Sequence, residues 1–231
     1  MSDIYFFDSP FVFTHKPEGH DRFKSDTINK INAYIEHKLC TIEDGKVTSN
    51  FVQQFNGDSD PSYPHFRFTE EWNKAIIWES VDALTAALFK INPNIPERPV
   101  HYSIDKLWFN YYESGSFIEP HSHHSVDISG IYIIHSESPN PTRFMNNMNV
   151  GNWRYARTIY ETNHLTEGTV ILFPSHLTHW TIPSVGERYT ISFDLTVQNT
   201  QNFNNTTPEQ DRQFQIAKQF MIGNEGTIPT L

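Results

Sequence analysis

The stretch His179-Trp-Thr-Ile-Pro-Ser-Val-Gly-Glu-Arg188-Tyr-Thr-Ile-Ser-Phe-Asp-Leu-Thr-Val197 decides how the chain is read. His179 to Pro183 and Arg188 to Val197 are β-branched and aromatic, and the turn Ser184-Val-Gly-Glu187 separates them, so they read as a strand pair. Along the second strand Arg188, Thr190, Ser192 and Asp194 alternate with Tyr189, Ile191, Phe193 and Leu195. Successive side chains of a strand point to opposite faces, so one face is polar and the other apolar. Upstream, Thr169 to Phe173 reads as a buried strand that ends at Pro174 and delivers His179 just past its edge. His101 to Tyr112 and Asp127 to His135 are further strands. Short antiparallel strands joined by polar loops predict a mainly β fold with flanking α, a double-sheet jelly roll of cupin-like form.

Outward from this core, the N-terminal zone carries two helical patterns. Asp26 to His37 places Ile28, Ile31, Tyr34 and Ile35 at helical spacing. Thr69-Glu-Glu-Trp72 opens a second helix with acidic residues in its first turn, where the helix dipole favours them, and it stops near Asn92-Pro-Asn-Ile-Pro96. Both are expected to pack on the sheet. Ser136 to Asn152 is rich in Pro, Asn and Ser and reads as a loop, and a last helix is expected over Pro208 to Met221. The expected organisation is a single domain over 1–231, with a helical support region at 1–98, a jelly-roll core at 99–198 and a polar tail at 199–231.

Length and composition bound the rest. A compact chain of 231 residues buries roughly 70–75% of the surface it exposes when unfolded, so it needs no staple. The net charge of -10 disfavours a duplex nucleic-acid partner, which calls for a basic footprint. The single Cys40 excludes an intramolecular disulfide and a cysteine-based zinc site, and points to a reducing, cytoplasmic compartment. No apolar run approaches the ~18 residues a membrane span needs, and the start Met1 to Asp8 lacks the basic region of a secretory signal.

Five of the 12 histidines fall in two clusters, Phe117-Ile-Glu-Pro-His121-Ser-His123-His124 and His176-Leu-Thr-His179. His121 and His123 share one face of an extended segment, so their imidazoles can chelate one metal ion. His15, His20, His37, His65, His101 and His164 follow no pattern and are read as ordinary solvated or hydrogen-bonded residues. Neither an H-x-H nor a lone arginine is specific. The combination is: H-x-H, some 55 residues of strands, then His179, then Arg188 one hairpin away.

In this combination the sequence resembles the Fe(II)- and 2-oxoglutarate-dependent dioxygenases, more narrowly their bacterial and phage branch. The stretches that carry the resemblance are Trp108 to Gly115, His121-Ser-His123, Ser129 to Tyr132, Glu167 to Ser175, His179 and Arg188 to Phe193. They span about residues 100–197. The resemblance implies a double-stranded β-helix with N-terminal helices packed on its sheet, and cofactors Fe(II), 2-oxoglutarate and O2. His121, His123 and His179 would be the metal ligands. Arg188 and Thr190 would clamp the distal carboxylate of 2-oxoglutarate, with Tyr112 and Tyr132 as further candidates for that pocket. The reaction implied is oxidative decarboxylation of 2-oxoglutarate to succinate and CO2, coupled to hydroxylation of a small molecule or protein side chain that the sequence does not identify.

One departure from the pattern matters. Most members read H-x-D or H-x-E, and His123 stands at the carboxylate position here. Asp127 is the alternative third ligand if the loop curls back. Two other functions stay open at the level of sequence. One is a cupin-like three-histidine dioxygenase without 2-oxoglutarate, which has no need of Arg188. The other is a non-catalytic metal-binding or structural module. The sequence specifies neither the substrate nor the oligomeric state.

Overall fold

The computed structural model describes residues 3–6, 11–36, 40–43, 46–49, 68–91, 101–139, 142–145, 159–162 and 165–198. The C-terminal helix expected over 208–221 lies outside them. Eleven strands are described: β1 (Asp3–Phe6), β2 (Phe11–His15), β3 (Cys40–Glu43), β4 (Lys46–Ser49), β5 (His101–Tyr112), β6 (Ile128–Ser136), β7 (Thr142–Met145), β8 (Ile159–Glu161), β9 (Val170–Pro174), β10 (Thr178–Thr181) and β11 (Arg188–Gln198). Eight form one antiparallel sheet in the order β1-β2-β9-β6-β11-β5-β4-β3, and β10-β7-β8 form a second. This is the jelly-roll architecture expected from the strand pattern.

Helix α1 (His20–Glu36) and the continuous run of α2 (Glu70–Trp72), a π-helical stretch (Asn73–Trp78) and α3 (Glu79–Ile91) cover the outer face of the large sheet. Thr69 caps this run, its hydroxyl accepting from the Trp72 amide at 3.1 Å. Ile31 and Tyr34 of α1, with Trp72, Ile76, Ile77, Val81, Leu84 and Leu88 of the second run, meet the sheet residues Phe11, Phe13, Phe109, Tyr132, Leu172, Ile191 and Phe193 in one apolar layer. The helical spacing read from the sequence thus does face the sheet. Among the described residues, no helix is long and apolar enough to cross a membrane.

The inner face holds a smaller cluster of Val12, Ile131, Ile133, Phe144, Ile171, Phe173 and Leu177. Alternation along the strands explains the split, since neighbours such as Val12 and Phe13, or Ile171 and Leu172, go to opposite faces.

Three expectations are corrected. The N-terminal zone is not only helical, because β1 to β4 join the large sheet and β2 pairs with β9. The segment 136–152 is not all loop: β7 lies within it and pairs with both β10 and β8. And β10 does not pair with β11. The turn between them, with Gly186 at φ 79°, carries the chain from the small sheet to the large one. A β-hairpin would keep both strands in one ladder, but one edge of β10 is taken by β7 and the other by the backbone of Ile118 and His121.

Candidate active site

The three histidines converge between the sheets. His179 is on β10, and its backbone bridges that of His121 through His121 N–H to His179 O at 3.0 Å and the reverse bond at 2.8 Å. The His123 amide donates to Ser175 O at 2.9 Å, which fixes the H-x-H segment beside the end of β9. The ring centroids are 4.3 Å apart for His121 and His179, 5.1 Å for His123 and His179, and 5.3 Å for His121 and His123. One nitrogen from each ring lies within 4.8 Å of the others, a group that could hold a metal ion.

The second nitrogens show how the rings are aimed. His121 Nδ1 is 2.8 Å from Glu119 O, and His179 Nδ1 is 3.0 Å from Leu177 O. A carbonyl only accepts, so both rings carry their proton on Nδ1 and their lone pair on Nε2. His123 Nδ1 meets Asp194 Oδ1 at 2.7 Å and Ser129 Oγ at 2.9 Å. Each imidazole is thus anchored on one nitrogen and available on the other, as metal-ligating histidines are. His179 is buried against Phe144 and Phe173. Burial first, and then the neighbouring His121 and His123, hold its imidazole down at about 3, against the pull of the Leu177 carbonyl, so it is neutral across the physiological range.

Asp127 stands outside this group. Its Oδ2 accepts from the Val197 amide at 2.7 Å, and its own amide donates to Leu195 O at 3.0 Å. It ties the start of β6 to the end of β11.

Arg188 is 1% exposed. Nη2 donates to Thr142 Oγ1 at 3.3 Å, and the guanidinium carbon sits 5.5 Å from the centroid of the Tyr112 ring. Nε and Nη1 have no partner, and no carboxylate pairs with the guanidinium among the described residues. Burial lowers it from its ordinary value, and Tyr112 opposes that shift. Burial likewise pushes the Tyr112 hydroxyl up to about 12, keeping it protonated. Thr190 is buried on the same face of β11 as Arg188.

Strand β7 relates the two halves of the site. Thr142 touches Arg188, while Phe144, two residues on, is stacked at 6.2 Å from the His179 ring. Two residues of strand span roughly 6.8 Å. The arginine and His179 are thus bordered by two residues of one strand that share a face.

Tyr132 does not belong here. It faces the helix layer, where its hydroxyl meets His20 Nδ1 at 2.5 Å and its ring meets Trp72 edge-on. Its neighbours Ile131 and Ile133 take the inner face instead. Three partners of the site residues stand outside the ligand and clamp motifs. Asp194 and Ser129 hold His123, and the polar alternation of β11 was the available signal for Asp194. Thr142 gave no signal, because a four-residue strand is hidden between Pro141 and Asn146.

Residues 106–194 match the family described as "Putative 2OG-Fe(II) oxygenase". No curated protein matches the chain in sequence. Among solved structures, the fold is similar to a prolyl-4-hydroxylase from Pseudomonas putida at 11% identity and TM-score 0.51, covering 81% of this chain and 93% of that one. It is also similar to a prolyl hydroxylase from Trichoplax adhaerens, solved with a peptide fragment of the hypoxia inducible factor oxygen degradation domain. There the identity is 10% and the TM-score 0.50, covering 84% of this chain and 87% of that one. At such identities the likeness shows the shared fold, and the family match covers the segment that carries the histidines and Arg188. Residues 106–194 thus match a 2OG-Fe(II) oxygenase family, and the chain shares the double-stranded β-helix fold of these similar structures.

Proposed function

We propose that the chain is an Fe(II)- and 2-oxoglutarate-dependent oxygenase in which His121, His123 and His179 hold the iron and Arg188 receives the distal carboxylate of 2-oxoglutarate. The observation that carries the cosubstrate assignment is the buried guanidinium with two unpaired donors. A buried charge left without a counter-ion is costly, and an arginine fork fits a carboxylate with two parallel hydrogen bonds. Thr190 and Tyr112 line that end of the pocket. A three-histidine dioxygenase working without 2-oxoglutarate has no use for such a group.

The residue chemistry fits the metal. Three anchored imidazoles offer three nitrogen donors, a set that iron accepts among the first-row metals. Bound iron would supply the activation of O2, coupled to oxidation of 2-oxoglutarate to succinate and CO2 and of the substrate. The protein supplies placement. Phe144 and Phe173 shut water out behind His179, and the burial of that ring keeps it deprotonated for ligation. Arg188 and Thr142 fix the far end of the cosubstrate. The substrate is a small molecule or a protein side chain. The single cysteine supports a reducing, cytoplasmic setting.

The test is succinate formation. Protein loaded with Fe(II) should convert 2-oxoglutarate slowly in air without substrate, faster with one, and not at all after chelation. Metal-loaded protein that neither binds 2-oxoglutarate by calorimetry nor forms succinate would remove this reading in favour of a metal-binding module.

A further inference from the structure

His123 is the ligand that departs from the commoner carboxylate, and its surroundings differ from those of the other two histidines. His121 and His179 rest on backbone carbonyls, whereas His123 rests on a carboxylate. Three atoms form a closed triangle: His123 Nδ1 to Asp194 Oδ1 at 2.7 Å, His123 Nδ1 to Ser129 Oγ at 2.9 Å, and Ser129 Oγ to Asp194 Oδ1 at 2.7 Å. Proton counting settles the donors. An ionised carboxylate only accepts, and the one hydroxyl proton of Ser129 goes to it. The imidazole must therefore supply the proton on both of its sides. Nδ1 is protonated and Nε2 keeps its lone pair.

Asp194 is 1% exposed, and its only ionisable partner among the described residues is His123. It lies on the inner face of β11, next to a register shift in the ladder with β5. The Trp108 ring packs on the other side of His123, with centroids 5.5 Å apart. A carboxylate buried without a lysine or arginine is unfavourable in itself. It becomes favourable if a cation sits on the far side of the imidazole it holds.

We infer that Asp194 is the displaced carboxylate of the metal site, a positioning residue that acts through His123. It fixes the ring with Nε2 toward the metal, and it places a negative charge one hydrogen bond behind the ligand. Three neutral imidazoles would leave a divalent ion uncompensated by the protein. Asp194 restores part of the charge that a directly ligating carboxylate would bring, while the first coordination shell stays all nitrogen. Ser129 shares the same carboxylate oxygen and limits its rotation. This rests on the metal reading proposed above.

The experiment is a calorimetric titration of Co2+ into metal-free wild type and Asp194→Asn. Asparagine keeps the volume and a carbonyl acceptor for His123 but removes the charge. Loss of an outer partner of this kind weakens metal binding by about 10- to 100-fold, and that is the expected result. Equal Co2+ affinity in the two proteins would overturn the inference. A folded wild type that takes up no Co2+ would overturn the metal reading and this inference with it. Should Asp194→Asn fail to fold, nitrogen-15 NMR of the metal-free wild type at pH 8 decides. Nδ1-protonated His123 supports the inference, and Nε2-protonated His123 overturns it.

Discussion

The two faces of β11 are equally buried and opposite in chemistry. Toward the helices, Tyr189, Ile191, Phe193 and Leu195 join the large apolar layer, and Phe193 lies over Gly130, where an added methyl would overlap its ring. Toward the small sheet, Arg188, Thr190, Ser192 and Asp194 are 1–8% exposed. Exposure alone would class all eight as core. The difference lies in what each face meets: one finds apolar partners within the protein, while the other presents a guanidinium with free donors and a carboxylate behind a histidine. The outer layer is large enough to hold the sheet, and that leaves the inner face free to carry groups that only a ligand would satisfy.

Substitutions can separate the faces. The largest effect is expected at His179. His179→Ala should eliminate detectable Co2+ or Fe(II) binding by calorimetry, and the metal assignment is wrong if affinity is unchanged. Next is Phe193→Ala, which empties a ring site of the helix-facing layer and should cost about 3–5 kcal/mol in urea unfolding. The folded fraction should still bind metal normally. If metal affinity falls in step with stability, the faces are not independent. Arg188→Ala follows. A charge-assisted hydrogen bond contributes roughly 1.5–3 kcal/mol, so 2-oxoglutarate should bind about 10- to 150-fold more weakly, with metal affinity little changed. Equal loss of both would count against the clamp.

A smaller effect is expected at the seam between α1 and the sheet. Glu167 accepts from Lys24 at 2.5 Å and His135 at 2.7 Å, with His20 at 3.4 Å. Burial would raise its carboxyl, but these hydrogen bonds outweigh it and hold it down at about 2. Between the ordinary 4.5 and 2 the unfolded chain binds the extra proton, so this stability is present above about pH 4.5 and lost as pH falls toward 2. Partly exposed ion pairs contribute about 0.2–1 kcal/mol. Glu167→Gln should therefore melt roughly 1–4 °C lower at pH 7, and the gap should close in acid. A gap that persists at pH 2 would contradict the assignment. The smallest effect belongs to Asp127→Asn, which should leave metal affinity as in wild type because Asp127 serves the Val197 amide. Lost metal binding in that variant would restore Asp127 as a ligand candidate.

What the sequence made legible follows from periodicity. The polar and apolar alternation of β11 was plain because its two faces differ. Strand β6 hides its orientation, since residues 128–134 are all buried and nothing in their pattern tells which side Tyr132 faces. The same holds for β2, where Phe11, Val12 and Phe13 are buried on both faces and carry no alternating signal. Helix α1 was readable from Ile31 and Tyr34 because only one of its faces is covered. In the site, the side chains His121, His123, His179 and Arg188 were legible. The carbonyls of Glu119 and Leu177 that set the tautomers belong to the backbone, which no residue identity announces.

Strand β7 has a further consequence. Its Thr142 touches the guanidinium and its Phe144 touches the His179 ring, so one short strand marks off both ends of the site. Strand pitch hardly varies, so these two border residues keep a fixed spacing of about 6.8 Å along the main chain. A cosubstrate bound as proposed would then be bordered at both ends by one rigid element, so a change in β7 would be felt at the arginine and at the histidines together.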